Sequence, residues 1–146
     1  VHYFLGQPYR LQLFPGKRAR IKRVNETLEL SSNLTEAAQL EGCLDRWYRD
    51  QAERIFAYRQ QCLIARHQIT APTDLKVRKM RAKWGSCSQS GLITLNLWLI
   101  TQDIRAIDYV ILHELCHLSH FNHTPDFYAH LAALMPDWER RRDLLI

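Results

Sequence analysis

Nowhere does this chain carry an apolar run near the roughly 20 residues that a bilayer helix needs. The longest, Gly91–Ile100, is broken by Thr94 and Asn96, so no membrane span is expected. Glycine and proline are scarce, five each, too few for a collagenous or low-complexity chain. The four cysteines, Cys43, Cys62, Cys87 and Cys116, include no C-x-x-C pair and form no dense framework. A chain of this length builds its core without disulfide staples, so they are expected as free thiols of a cytoplasmic protein. A secretory signal segment is also missing, and the first residue is Val1 rather than methionine. The expectation is one domain over residues 1–146, a fragment of a longer chain.

What the chain does have is an ordinary globular mixture, 47% hydrophobic and 24% charged, with a net charge of +5. That excess is clustered. Lys17, Arg18, Arg20, Lys22 and Arg23 form one group, Lys76, Arg78, Lys79, Arg81 and Lys83 a second, and Arg140–Arg142 a third. Such clusters are solvated faces or surfaces that attract polyanions, whether nucleotides or nucleic acid.

Hydrophobic patterning divides the chain into a β-rich start, a long helix, two more strands and three helices. His2–Leu5, Pro8–Phe14, Arg18–Val24 and Thr27–Leu30 alternate as strands between turn signals and predict an antiparallel sheet or hairpin pair. Residues 34–66 repeat apolar positions at helical steps, with Asn33 or Thr35 as the cap. Leu75–Cys87 and Gly91–Leu99 read as two strands. A helix is expected from Asp103 to about Ser119. The next opens at Thr124-Pro125, an N-cap followed by a proline suited to the first helical position; a last short one covers Asp137–Leu145. The order predicts an α+β fold: a small antiparallel sheet packed against a long helix and a second helix that bears the chemistry.

That chemistry lies in His113-Glu114-Leu115-Cys116-His117, an H-E-x-x-H motif. With seven His and seven Glu among 146 residues, chance would produce it roughly 0.016 times. On a helix the i, i+4 spacing puts both imidazoles on one face, where they can hold a metal; Glu114 beside them can take a proton from an attacking water. A catalytic zinc site needs a third ligand. His120, seven residues after His113, would lie about 10.5 Å along a continuous helix and out of reach. His123 can return only if the helix stops, and Asn122, which tolerates a left-handed backbone, marks the place. The spacing of the three histidines equals that of the metzincin proteases, which have glycine where this chain has His120. Cys116 occupies an x position of the motif and reads as helix packing. Cys87 as a nucleophile with His117 as its base has no support in the spacing.

Lys83-Trp84-Gly85-Ser86-Cys87-Ser88, Ile93-Thr94-Leu95-Asn96, Ile107-Asp108-Tyr109-Val110, Asn122-His123-Thr124 with Phe127, and Met135-Pro136-Asp137 surround the motif. Together with Tyr3-Phe4-Leu5-Gly6, Tyr9 and Trp47-Tyr48-Arg49, they make most of the chain resemble the YgjP-like family of metal-dependent hydrolases, related to SprT-like and minimal-scaffold zinc peptidases. The resemblance implies a zincin-like fold, His113, His117 and His123 as ligands, and Glu114 as acid and base. Lys83, Leu97-Trp98, Thr124 and Tyr128 depart from the family pattern without removing a ligand.

The function expected is that of a zinc metallopeptidase with one Zn²⁺ per chain, acting on peptide or protein substrates by Glu114-assisted attack of zinc-held water. The alternatives are a zinc-dependent nucleotide pyrophosphatase of the UTP type, in which the basic stretch Leu75–Lys83 would suit the triphosphate, a protease acting on proteins held on nucleic acid, and a structural zinc domain that binds nucleic acid. Trp84 and Asn96 are candidate substrate contacts. Asp108, Asn122, Asp126 and again Asn96 are candidates for orienting the ligands. Leu92–Asn96 is the candidate edge for pairing with an extended peptide.

Overall fold

The computed structural model describes residues 1–146. Its elements are β1 (His2–Phe4), β2 (Gln7–Pro15), β3 (Arg20–Val24), β4 (Thr27–Ser32), α1 (Ala37–His67), β5 (Asp74–Arg78), β6 (Gly85–Cys87), β7 (Leu92–Asn96), α2 (Ile104–Cys116), α3 (Pro125–Leu134) and α4 (Trp138–Asp143), with a 3-10 segment Leu97–Thr101 before α2. The α+β class is as the patterning predicts. The sheets differ from the antiparallel arrangement expected. There are two, ordered β1-β2-β4-β3 and β5-β7-β6, and each contains a parallel pair, β2 with β4 and β5 with β7.

One device explains both. A strand is followed by a hairpin whose second strand inserts between the first strand and its own partner, so β4 lies between β2 and β3 and β7 between β5 and β6. The β3–β4 hairpin turns at Asn25, which takes the left-handed backbone (φ 52°) that asparagine tolerates. The stretch Leu75–Cys87 is accordingly two strands on opposite edges of the second sheet, joined by a crossing turn through Met80–Lys83. Leu92–Asn96 is therefore the central strand, with both its hydrogen-bonding edges taken. The edge strands are β5 and β6.

The long helix α1 spans 31 residues, and Leu44, Tyr48, Ala52 and Phe56 bury one stripe at four-residue steps. Neither Asn33 nor Thr35 caps it; the cap is Glu36, and its side chain makes no capping bond. The helix ties the fold together at three levels. The Tyr48 hydroxyl donates to the Tyr3 carbonyl at 2.8 Å, and burial pushes that phenol up to about 12. Arg49 donates to the Val77 carbonyl of β5 at 2.8 Å. Arg59 grips Asp108 of α2 through two bonds of 2.9 and 2.7 Å.

The N-terminal hairpin then braces the start of α2. Leu5 and Gly6 donate to the Ile100 and Thr101 carbonyls, and a Cβ on Gly6 would come within 3.1 Å of the Asp103 Cα. Asp103 caps α2 by accepting from the Arg105 amide. Apolar Ile107, Val110, Ile111, Leu112 and Leu115 are buried around the helix, which is thus surrounded by core except along the face that carries the motif.

The Arg59–Asp108 pair places Asp108 in a structural role. Asp108→Asn leaves Arg59 without its counter-charge and is expected to cost about 2 kcal/mol, given that Arg59 is partly exposed. Thermal unfolding would then fall by about 4–8 °C. Metal uptake should be unchanged, whereas a weakened metal affinity would return Asp108 to the ligand-orienting role.

Candidate metal and active site

The motif histidines sit on the last turn of α2. The helix ends at Cys116 with His117 at its C-cap, and the hydrogen bonds there tighten to three-residue steps: His117 to Glu114, Leu118 to Leu115, Ser119 to Cys116. That tightening, with the Thr124 amide bonded to the Asn122 carbonyl at 2.8 Å, turns the chain back. Asn122 does not take the left-handed backbone expected of it, since the only non-glycine residues with positive φ are Leu5, Asn25 and Gln68. Thr124 then caps α3 and Pro125 opens it, as its sequence requires.

The reversal returns His123 to the motif. His113, His117 and His123 each offer one ring nitrogen, and the three nitrogens lie within 4.8 Å of one another. His117 Nε2 and His123 Nε2 are 3.1 Å apart, close to the roughly 3.4 Å that two imidazoles have on one tetrahedral zinc. The other nitrogen of His117 is set by His120: Nδ1 lies 3.0 Å from the His120 carbonyl, which can only accept, so Nδ1–H donates there and Nε2 is the nitrogen turned to His123. His120 thus serves through its backbone, while its ring packs edge-on against His130 at 5.3 Å. Burial, then the neighbouring imidazoles of His117 and His113, hold His123 below the usual histidine value, with Glu114 opposing them.

Glu114 is buried and its Oε2 lies 3.0 Å from His113 Nδ1. Gly85 of β6 passes directly over it, because a Cβ there would meet Glu114 Cγ at 3.1 Å and Leu95 Cδ2 at 3.1 Å. Glycine lets the edge strand approach the acid this closely. Strand β6 and α2 form the walls of a cleft of about 520 Å³ whose lining includes Trp84, Cys87, the three histidines and Phe121.

Several residues that spacing alone did not single out shape this site. Phe127 is fully buried, and its ring lies 5.0, 4.4 and 5.1 Å from those of His113, His117 and His123, so one side chain supports all three. Around it runs a closed circuit of rings: His113 to Tyr109, Tyr109 to Trp138, Trp138 to Tyr128, Tyr128 to His123, and His123 back to His113. Tyr109 had a legible signal, four residues before His113 on the same helical face. Trp138 had none, because its place depends on how α4 folds back.

Of the other expected site residues, one reaches the cleft. Trp84 lines the cleft. Asn96 is buried below it and is a clamp: Nδ2 donates to the Met80 and Lys83 carbonyls at 3.0 and 2.9 Å, while Oδ1 accepts from Met80 and Trp98 amides. Asp108 is held by Arg59, and Asn122 and Asp126 are exposed, none of them bonded to a histidine ring. Cys116 is buried beneath the motif, its thiol pushed up to about 12 by burial and the charge of Glu114. It packs and stays protonated.

Phe127→Ala removes the shared support and is expected to cost about 3–5 kcal/mol. At a temperature where the variant is still folded, its divalent-metal affinity should drop by at least about tenfold; an unchanged affinity would mean that the histidines hold their geometry without it.

No curated protein matches this chain. Crystal structures of two metallopeptidase zymogens are among those that share its fold. The metallopeptidase zymogen of Pyrococcus abyssi abylysin superposes with a TM-score of 0.54 at 18% identity, over 60% of this chain and 89% of that one. The metallopeptidase zymogen of Methanocaldococcus jannaschii jannalysin gives 0.51 at 21% identity, over 59% and 82%. At such identities the likeness is one of fold, a zincin-like one. The family model described as "YgjP-like, metallopeptidase domain" matches residues 1–146. The chain belongs to the YgjP-like metallopeptidase family.

Proposed function

We propose that the chain is a zinc-dependent peptidase in which His113, His117 and His123 hold one Zn²⁺ and Glu114 is the catalytic acid and base. The observation that carries this reading is the convergence of three imidazole nitrogens beside a buried carboxylate that lines an open cleft. Three neutral imidazoles suit zinc and leave a fourth position open. The cluster consists of the three histidines alone, with no cysteine among them to close the site.

Zinc held there by His113, His117 and His123 would supply a Lewis acid for the scissile carbonyl and favour attack by water at neutral pH. The remaining steps belong to the chain. The carboxylate of Glu114 takes one proton from the attacking water as its oxygen bonds to the carbonyl carbon. The same proton passes to the peptide nitrogen as the C–N bond breaks, leaving a carboxylic acid and an amine. The free edge of β6 offers backbone groups to an extended substrate, and Gly85 brings that edge against Glu114. The pairing edge is thus assigned to Gly85–Cys87 in place of Leu92–Asn96.

A peptide fits this cleft better than a nucleoside triphosphate. The basic stretch that suggested triphosphate binding is divided by the fold: Lys76 and Arg78 line a separate groove with Glu53, and only Lys83 reaches the cleft.

Elemental analysis of the zinc-reconstituted protein should give about one zinc per chain, and His123→Ala should lose or weaken it. Glu114→Gln should keep the zinc and lose about 10²–10⁴-fold in hydrolysis of an unfolded protein substrate. Full activity in Glu114→Gln, or no zinc uptake by the wild type, would overturn this assignment.

A further inference from the structure

The cleft is lined by three charged side chains, Lys83, Glu114 and Arg142. One is the acid at the reacting centre; the other two are cations that the hydrolytic chemistry does not use. Both line the same cleft. On β6, Gly85 packs against Val110 and Glu114 of α2, and Lys83 lies two residues earlier in the chain. Arg142 stacks its guanidinium 5.2 Å from the Trp138 ring, and Trp138 stacks on Tyr109 at 6.2 Å, one helical turn before His113.

The two cations are also held in place. The Lys83 carbonyl accepts from buried Asn96, which anchors the turn that carries it, and the ammonium makes no ion pair. Arg142 is steadied by Trp138, and its Nε and Nη2 both lie 3.2 Å from Oδ1 of its exposed neighbour Asp143. A lysine without a partner and an arginine whose only counter-charge is an exposed aspartate give the cleft two cations that can take a carboxylate.

Resting on the peptidase reading, we propose that Lys83 and Arg142 make the cleft selective for peptides with a carboxylate on the C-terminal side of the scissile bond. The direction follows from strand pairing. A substrate added antiparallel to β6 runs against it, so its C-terminal half lies toward Lys83. At up to about 3.3 Å per residue, Lys83, on the turn that enters β6, lies within about 7 Å of the scissile position beside Gly85. The carboxylate therefore belongs to the second or third residue after the cut. It is either an Asp or Glu side chain or the chain terminus itself.

The test uses zinc-loaded protein and a proteome-derived peptide library read by mass spectrometry, once with free C-termini and once with C-termini amidated. Expected is an about tenfold enrichment of cuts two or three residues before a carboxylate. Enrichment that survives amidation assigns it to Asp or Glu side chains, and enrichment abolished by amidation assigns it to the chain end. Arg142→Gln should bring the ratio of carboxylate to amide substrates toward one, and Lys83→Glu with Arg142→Glu should turn the preference toward Lys and Arg. Cleavage without any such preference, or an unaltered ratio in Arg142→Gln, overturns the proposal while leaving the peptidase reading intact. Absence of peptide cleavage, with turnover of a nucleoside triphosphate instead, overturns both.

Discussion

Everything at the centre of this molecule depends on stopping one helix in the right place. His113 and His117 share a face of α2 by spacing alone, but the third imidazole comes from a residue that a continuing helix would carry away. The tightened bonds from Leu118 and Ser119 end the helix, the Asn122 carbonyl caps the reversal, and Thr124-Pro125 starts α3 in the new direction. Phe127, three residues into that capped helix, then packs under all three rings. The cap and the support are one device: the turn that frees His123 from the helix also delivers the side chain that fixes it.

The surrounding fold keeps α2 from moving as a unit. Arg59 of the long helix holds Asp108, the N-terminal hairpin clasps the segment before Asp103, and β6 presses Gly85 against Glu114. Each contact comes from a different element, so α2 is gripped near its start, along its middle and beside its acid. What stays open is the face toward the cleft. Its lining combines the backbone edge of β6, two cations, Lys83 and Arg142, and aromatic and imidazole rings.

Local signals made the core of the site legible. The H-E-x-x-H spacing, the N-cap Thr124 and the proline after it are properties of a few adjacent residues, and the return of His123 follows from them. The long helix was legible for the same reason, since a four-residue apolar stripe needs no partner to be recognised. Sheet order was not. Whether Leu92–Asn96 is an edge or a centre depends on where the Met80–Lys83 turn sends the chain, and that is decided by buried Asn96 reaching residues 13 and 16 positions away. Asn96 and Asp108 were singled out as polar residues near the motif, yet both act on backbone or on a distant arginine. A buried polar side chain must find partners, and proximity in sequence does not say which. Trp138 and Arg142 entered the site by the same long-range route.

The central claim is a metal held by three histidines with an open fourth position. X-ray absorption at the zinc edge of the reconstituted protein reads the ligand atoms directly. Three imidazole nitrogens and one oxygen, at about 2.0–2.1 Å, are the expected result. Sulfur scattering at about 2.3 Å would bring in Cys87 or Cys116, close the site and contradict the account.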